Sequence, residues 1–167
     1  EDMVGERAVI ERTRGCPATV QSLCEELTSL GIAPGMIVLV HSSLSTLGWV
    51  CGGPVAVILA LEQILGPEGT LVMPTHSGDL SDPANWEHPP VPESWKDTIR
   101  AAMPAFDVDL TPTRGMGAVP ETFRKQRGVL RSQHPQVSFA AWGAQATSVT
   151  AHHSLDFCLG EGSPLAR

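Results

Sequence analysis

No stretch of the sequence approaches the roughly 20 consecutive apolar residues that a membrane-spanning helix needs. The segment Glu1 to Arg14 is charged and has no apolar centre of the signal-peptide kind. A soluble, cytoplasmic protein with no membrane partner is therefore the expectation. The four cysteines, at positions 16, 24, 51 and 158, form no C-x-x-C pair and no dense framework, so reduced, buried thiols are expected rather than a disulfide scaffold. Basic residues are few: eleven Lys and Arg against eighteen Asp and Glu, scattered and leaving a formal net charge of -7. Phosphate backbones are bound by clustered cations, so no nucleic-acid partner is expected, and an acidic surface attracts cations instead.

Several reaction signatures are also missing. No H-E-x-x-H or paired Cys/His spacing fixes two metal ligands on one element, although His41, His76, Asp79, His134, His152 and His153 supply the residue types. No G-x-S-x-G elbow frames a serine nucleophile, and no Walker or dinucleotide glycine pattern is present.

What is there fits one compact domain of 167 residues, 42% of them hydrophobic and 17% charged. Between Pro17 and Leu30, Val20, Leu23, Cys24, Leu27 and Leu30 fall at helical spacing, and Gly31 ends the run. Met36 to Val40 is a short branched apolar run between Pro34-Gly35 and His41-Ser42-Ser43, and reads as a strand buried on both faces. Pro54 opens a second amphipathic helix that Gly66 closes, and Thr70 to Met73 is a second buried strand. Helix, strand, helix, strand with short turns predicts an α/β layered fold with parallel strands. Its ligand loops then lie at strand C-termini, here His41 to Ser45 and Thr75 to Asp79. Ser77 to Pro112 is irregular, with Trp95 to Met103 alone helical; it is a functional loop or a packed surface excursion. Ala118 to Lys125 reads as helix, Val137 to Trp142 as a third strand and Ala144 to Thr150 as a short helix.

Ser42, Ser43 and Leu44 follow the first strand, where hydroxyls and backbone N–H groups near a helix start can hold a phosphate. In Thr113-Arg114-Gly115-Met116-Gly117 the glycines admit close backbone approach and Arg114 can pair with phosphate oxygens. His134, His152 and His153 are each candidate bases near neutral pH.

Five ordered motifs connect these pieces: V-H-S-S-L-S-T-L-G-W-V-C-G-G (40–53), G-T-L-V-M-P-T-H-S-G-D (69–79), T-P-T-R-G-M-G (111–117), H-P-Q-V-S-F-A-A-W-G (134–143) and H-S-L-D-F-C-L-G-E-G-S-P-L (153–165). In this order they resemble the aminoglycoside 3-N-acetyltransferase family. The resemblance implies a three-layer α/β/α sandwich distinct from the common N-acetyltransferase fold. It also implies acetyl transfer from acetyl-CoA to the 3-amino group of the deoxystreptamine ring, antibiotic resistance, and no metal. By the same carry-over Ser42, Ser43, Leu44, Thr113, Arg114, Gly115, Met116, Gly117 and Ser138 serve CoA, and His153 is the general base. Asp79, Trp86, Asp156 and Glu161 are the candidate contacts for an aminoglycoside, with homodimerisation left open. The family pattern continues beyond G-E-G-S-P-L with a segment whose carboxylate orients the catalytic histidine, so a chain shortened at its C-terminus is expected. A CoA-binding module without catalysis is the alternative.

Overall fold

Every residue of Thr70–Pro74 is buried, because this strand lies inside a four-stranded sheet with helices on both faces. The computed structural model describes residues 3–167. In chain order the helices are α1 (Met3–Arg12), α2 (Val20–Ser29), α3 (Gly53–Leu65), α4 (Lys96–Ala102), α5 (Ala118–Phe123) and α6 (Ala146–Thr150). The strands are β1 (Ile37–Leu39), β2 (Thr70–Pro74), β3 (Leu130–Arg131) and β4 (Phe139–Gly143). Among the described residues no helix is long and apolar enough to cross a membrane.

The sheet order is β1-β2-β4-β3. Alternation along β2 divides its side chains between two layers. Leu71 and Met73 join Leu23 of α2, Val57, Ile58, Leu61 and Leu65 of α3, and Val119 and Phe123 of α5 in the larger core. Val72 points the other way, with Phe139, Ala141, Ala146 and Val149 beneath α6. This is the three-layer α/β/α arrangement. Each large apolar side chain fully buried contributes about 1.5–3 kcal/mol, so α3, with seven buried residues, is the element on which the sheet is mounted.

Two expectations are corrected. Only β1 and β2 pair in parallel; β2–β4 and β4–β3 are antiparallel. Strands β3 and β4 are joined by the short segment Ser132 to Ser138, which permits only a hairpin, and β4 folds back into the gap beside β2. The first strand is not buried on both faces either. It is the sheet edge, and α6 does not cover it, so Ile37 and Leu39 stay 54% and 41% exposed while Val38 packs on the larger core. Helix α1 and the two-residue β3 are additional to the elements expected from the apolar pattern.

Local chemistry sets the boundaries. Thr19 and Ser22 form a reciprocal capping box that starts α2. Pro54 sits in the first turn of α3 and Gly66 caps its end. At the end of β4, Gly143 has φ 104°, and a Cβ there would stand 2.1 Å from the Gly69 carbonyl oxygen, so only glycine closes the β2–β4 ladder.

Candidate functional site

Because β1 and β2 run in parallel, the loops leaving them emerge on the same edge of the sheet. A third loop, Thr113 to Gly117, lies across both. The Arg114 N–H donates to the His76 carbonyl at 2.8 Å, and an added Cβ at Gly117 would come within 3.9 Å of the Ser42 carbonyl. Glu121 on α5 fixes the start of this loop by accepting from both the N–H and the hydroxyl of Thr113, each at 2.9 Å. Burial raises the pKa of the Glu121 carboxyl, but hydrogen bonds from Arg124, Lys125 and Thr113 outweigh it and hold the group well below the usual carboxylate range.

Under the loops lies Arg131 of β3. Its guanidinium donates to the carbonyls of Thr75, Val108 and Thr111 and to the hydroxyls of Thr75, Ser77 and Ser138, and it stacks on Phe106 with Cζ 4.9 Å from the ring centre. No carboxylate hydrogen-bonds to it among the described residues. Burial, with the nearby Arg124 charge, pulls its pKa down to about 10, so it remains a cation at neutral pH.

Two cavities open on this edge. The larger, about 840 Å³, is lined by Ser42 to Ser45, the first residues of α3, Gly115 to Ala118 and one side of α1. Its volume is in the upper range for a ligand site. The Ser42 hydroxyl, buried in its wall, has no partner among the described residues, and the N-terminus of α3 has no side-chain cap, so its free backbone N–H groups offer hydrogen bonds to an anionic ligand. The smaller, about 520 Å³, lies between Gly78 to Leu80 and the irregular segment, with Asp79, Trp86 and Glu87 in its lining. Carboxylates beside an indole suit a cationic, ring-shaped ligand. Arg114 faces this acidic cleft and pairs with Asp79 at 3.1 Å. Gly115, the next residue, faces the larger cavity. One loop is thus shared wall to both.

A histidine cluster occupies the sheet edge nearby. The rings of His134 and His153 lie 4.6 Å apart, and Phe139 contacts His76 and His153 with ring centres at 5.4 and 6.1 Å. The chain turns inward at His152, a non-glycine residue at φ 53°. His153 Nε2 is 2.9 Å from the Cys158 carbonyl oxygen, and Nδ1 is 2.9 Å from Ser132 Oγ. A carbonyl only accepts, so the neutral ring carries its proton on Nε2 and Nδ1 accepts from the Ser132 hydroxyl. Burial lowers the pKa of His153, against a smaller opposing effect of the Cys158 carbonyl. Burial and then the neighbouring His153 lower that of His134; burial, then His41, His153 and His134, lower that of His76. All three favour the neutral form.

Ser42, Ser43, Leu44, Gly115, Met116 and Gly117 therefore share one cavity, and Asp79 and Trp86 share the other with Arg114. Ser138 lies below them, fully buried, its hydroxyl donating to the Thr75 carbonyl at 2.8 Å. His153 lines neither cavity. Asp156 and Glu161 sit exposed on the Ser154 to Gly162 loop, away from the acidic cleft. Among the described residues no three His, Cys, Asp or Glu side chains are grouped as metal ligands. Ser132, Glu121 and Arg131 carried no signal in the sequence, since their roles depend on partners brought close only by the fold.

Residues 39–167 match the family described as aminoglycoside 3-N-acetyltransferase. The chain is 52% identical over 162 residues to the SPbeta prophage-derived aminoglycoside N(3')-acetyltransferase-like protein YokD of Bacillus subtilis (strain 168), covering 96% of this chain and 59% of that protein. It is 41% identical over 165 residues to aminoglycoside N(3)-acetyltransferase VII of Streptomyces paromomycinus, covering 97% and 55%. The crystal structure of YokD superposes with a TM-score of 0.93 over the same share of each chain. AAC-IIIb in binary complex with CoASH superposes at 0.75, with 38% identity over 90% of this chain and 55% of that one. AAC-VIa bound to sisomicin does so at 0.78, with 32% identity over 91% and 56%. The chain thus spans a little over half the length of these relatives.

Proposed function

Since this chain belongs to the aminoglycoside 3-N-acetyltransferase family, we propose that it builds the donor cavity and one wall of the acceptor cleft of an enzyme that acetylates aminoglycosides. The donor is acetyl-CoA, and the acceptor is the 3-amino group of the deoxystreptamine ring. The observation that carries this reading is the adjacency of Arg114 and Gly115, which face the acidic cleft and the larger cavity from one loop. A thioester held against the glycines and a polyamine held by Asp79 and Glu87 then meet across a single backbone. AAC-IIIb with CoASH and AAC-VIa with sisomicin supply one precedent for each ligand. Acetyl-CoA as donor puts the reaction in the cytoplasm.

The chemistry needs a proton acceptor. An amine is mostly protonated near pH 7, so it first releases one proton to solvent; the free amine then attacks the thioester carbonyl to form the N–C bond, gives a second proton to the base, and expels the CoA sulfur as the C–S bond breaks. The backbone N–H groups of the glycine loop hold the intermediate oxyanion. The base of the proposed reaction is His153, whose low pKa keeps the ring neutral; since it lines neither cavity, it meets the amine only after the ring is uncovered. Taking a proton at Nε2 requires the other tautomer, with Nδ1–H donating to Ser132 Oγ and the Cys158 carbonyl lifted off the ring. Ser132 holds the ring from its Nδ1 side. The proton passes finally to the departing thiolate.

Incubated with acetyl-CoA and gentamicin, the protein releases free thiol and the drug gains one acetyl group. His153→Ala abolishes transfer and leaves CoA binding intact; surviving activity would move the base to His134. Transfer to no aminoglycoside, tested also with the chain extended to the length of its relatives, would overturn the reading. CoA binding without transfer would favour a donor-binding module.

A further inference from the structure

Helix α1 forms one side of the larger cavity: Gly5, Glu6, Ala8, Val9 and Arg12 line it, opposite Ser42 to Ser45 and the start of α3. It is fastened there by Thr13, whose hydroxyl donates to the Val9 carbonyl and accepts the Trp49 N–H, both at 2.8 Å, and by Glu6, which accepts from the Trp49 indole at 3.3 Å. A ligand that enters this cavity therefore lies along α1.

Among the described lining residues Arg12 is the one basic side chain. Arg114, the cation that the motif pattern assigns to phosphate, faces the other cleft and is paired with Asp79. Coenzyme A is a polyanion; a phosphate monoester alone carries roughly -1.5 to -2 charges near pH 7. The whole chain carries a formal -7, so its general field repels such a ligand and a local cation must offset it. Arg12 donates from Nε to the Ala8 carbonyl at 3.1 Å, a bond within its own helix that leaves the two terminal nitrogens for a bidentate contact. Ser42, across the same cavity, has a buried hydroxyl without a hydrogen-bond partner among the described residues.

We propose that α1 is a wall of the donor cavity and that Arg12 is the cation that binds the phosphates of coenzyme A. The inference rests on the reading that this cavity takes the acyl donor. Calorimetric titration with CoA, dephospho-CoA and pantetheine tests it, on the wild type, Arg12→Gln and Arg12→Lys. Arg7→Gln, on the same helix but paired with Glu11 and absent from the lining, is the control for helix integrity. Arg12→Gln weakens CoA binding about tenfold or more and flattens its salt dependence. Arg12→Lys restores part of the loss, and pantetheine, which lacks the phosphates, binds all four proteins alike. Dephospho-CoA weakened as much as CoA assigns the contact to the pyrophosphate, and dephospho-CoA left unaffected assigns it to the 3′-phosphate. Wild-type CoA affinity in Arg12→Gln, or an equal loss in Arg7→Gln, overturns the inference while leaving the donor cavity standing. Failure of the wild type to bind CoA or pantetheine overturns both.

Discussion

Ser132 stands between His153 and the sheet: its oxygen accepts the Phe139 N–H at 2.9 Å while its hydroxyl hydrogen goes to His153 Nδ1 at 2.9 Å. One buried hydroxyl thus anchors the candidate base to β4. In Ser132→Ala both the Phe139 N–H and Nδ1 lose their partner without access to water, which costs about 1–3 kcal/mol. Urea denaturation registers that loss as a lower midpoint at constant slope. In the proposed reaction kcat falls at least about tenfold and KM for acetyl-CoA holds; an unchanged kcat would remove Ser132 from the machinery.

Acid destabilises this fold early. Burial depresses the pKa of His76, His134 and His153 in the folded state, so below about pH 6.5 the unfolded chain takes up protons that the folded one refuses. Stability is complete above that pH and falls as pH drops toward the depressed values. Guanidinium melts at pH 8 and pH 5.5 should show the lower midpoint at 5.5, and His76→Gln should lessen the difference. Equal midpoints at the two values would contradict the burial.

Arg131 organises the site through dipoles. Its partners are carbonyls and hydroxyls on three separate segments, and a lysine ammonium cannot span them. Arg131→Lys is expected to lose about 2–4 kcal/mol and to open residues 106–113 to protease. Neutral dipoles are not screened as ion pairs are, so raising salt should not reproduce the effect in the wild type.

Asp79 and Arg114 form a solvent-exposed pair, 52% and 61% accessible, worth at most about 1 kcal/mol. In the proposed reaction a polyamine would therefore displace Arg114 from Asp79 at small cost. Asp79→Asn should weaken aminoglycoside binding roughly fivefold and leave CoA affinity unchanged, which calorimetry with each ligand alone resolves. Equal weakening of both would mean that the substitution disturbs the shared loop.

Legibility in the sequence followed burial. Helix α3 and strand β2 could be read because dense apolar runs leave few alternatives, and α2 because its stripe is regular and capped. Helix α1 is largely exposed and charged, so it left no periodic trace, yet it brings Arg12 to the cavity. Strand β3 spans two residues and is defined by pairing alone. Within the site, the contiguous motifs 42–44 and 115–117 line one cavity, and Asp79 and Trp86 line the other. Asp156 and Glu161 did not join them, because nearness to a motif in sequence does not fix which way a loop faces. Partnerships such as Ser132 with His153, 21 residues apart, and Arg131 with Thr75, 56 apart, exist only once the sheet has closed.

The loop that gives Arg114 to one cavity and Gly115 to the other also shapes how such a protein can diversify. Inserting or deleting a single residue there would exchange which side chain faces which cavity, so heritable change in residues 114–117 falls on both cavities together. Asp79, Leu80, Trp86, Glu87, His88 and Val91 line the acidic cleft and not the larger cavity. New acceptor ranges should therefore arise by drift in that irregular segment, leaving the shared wall under constraint from two sides.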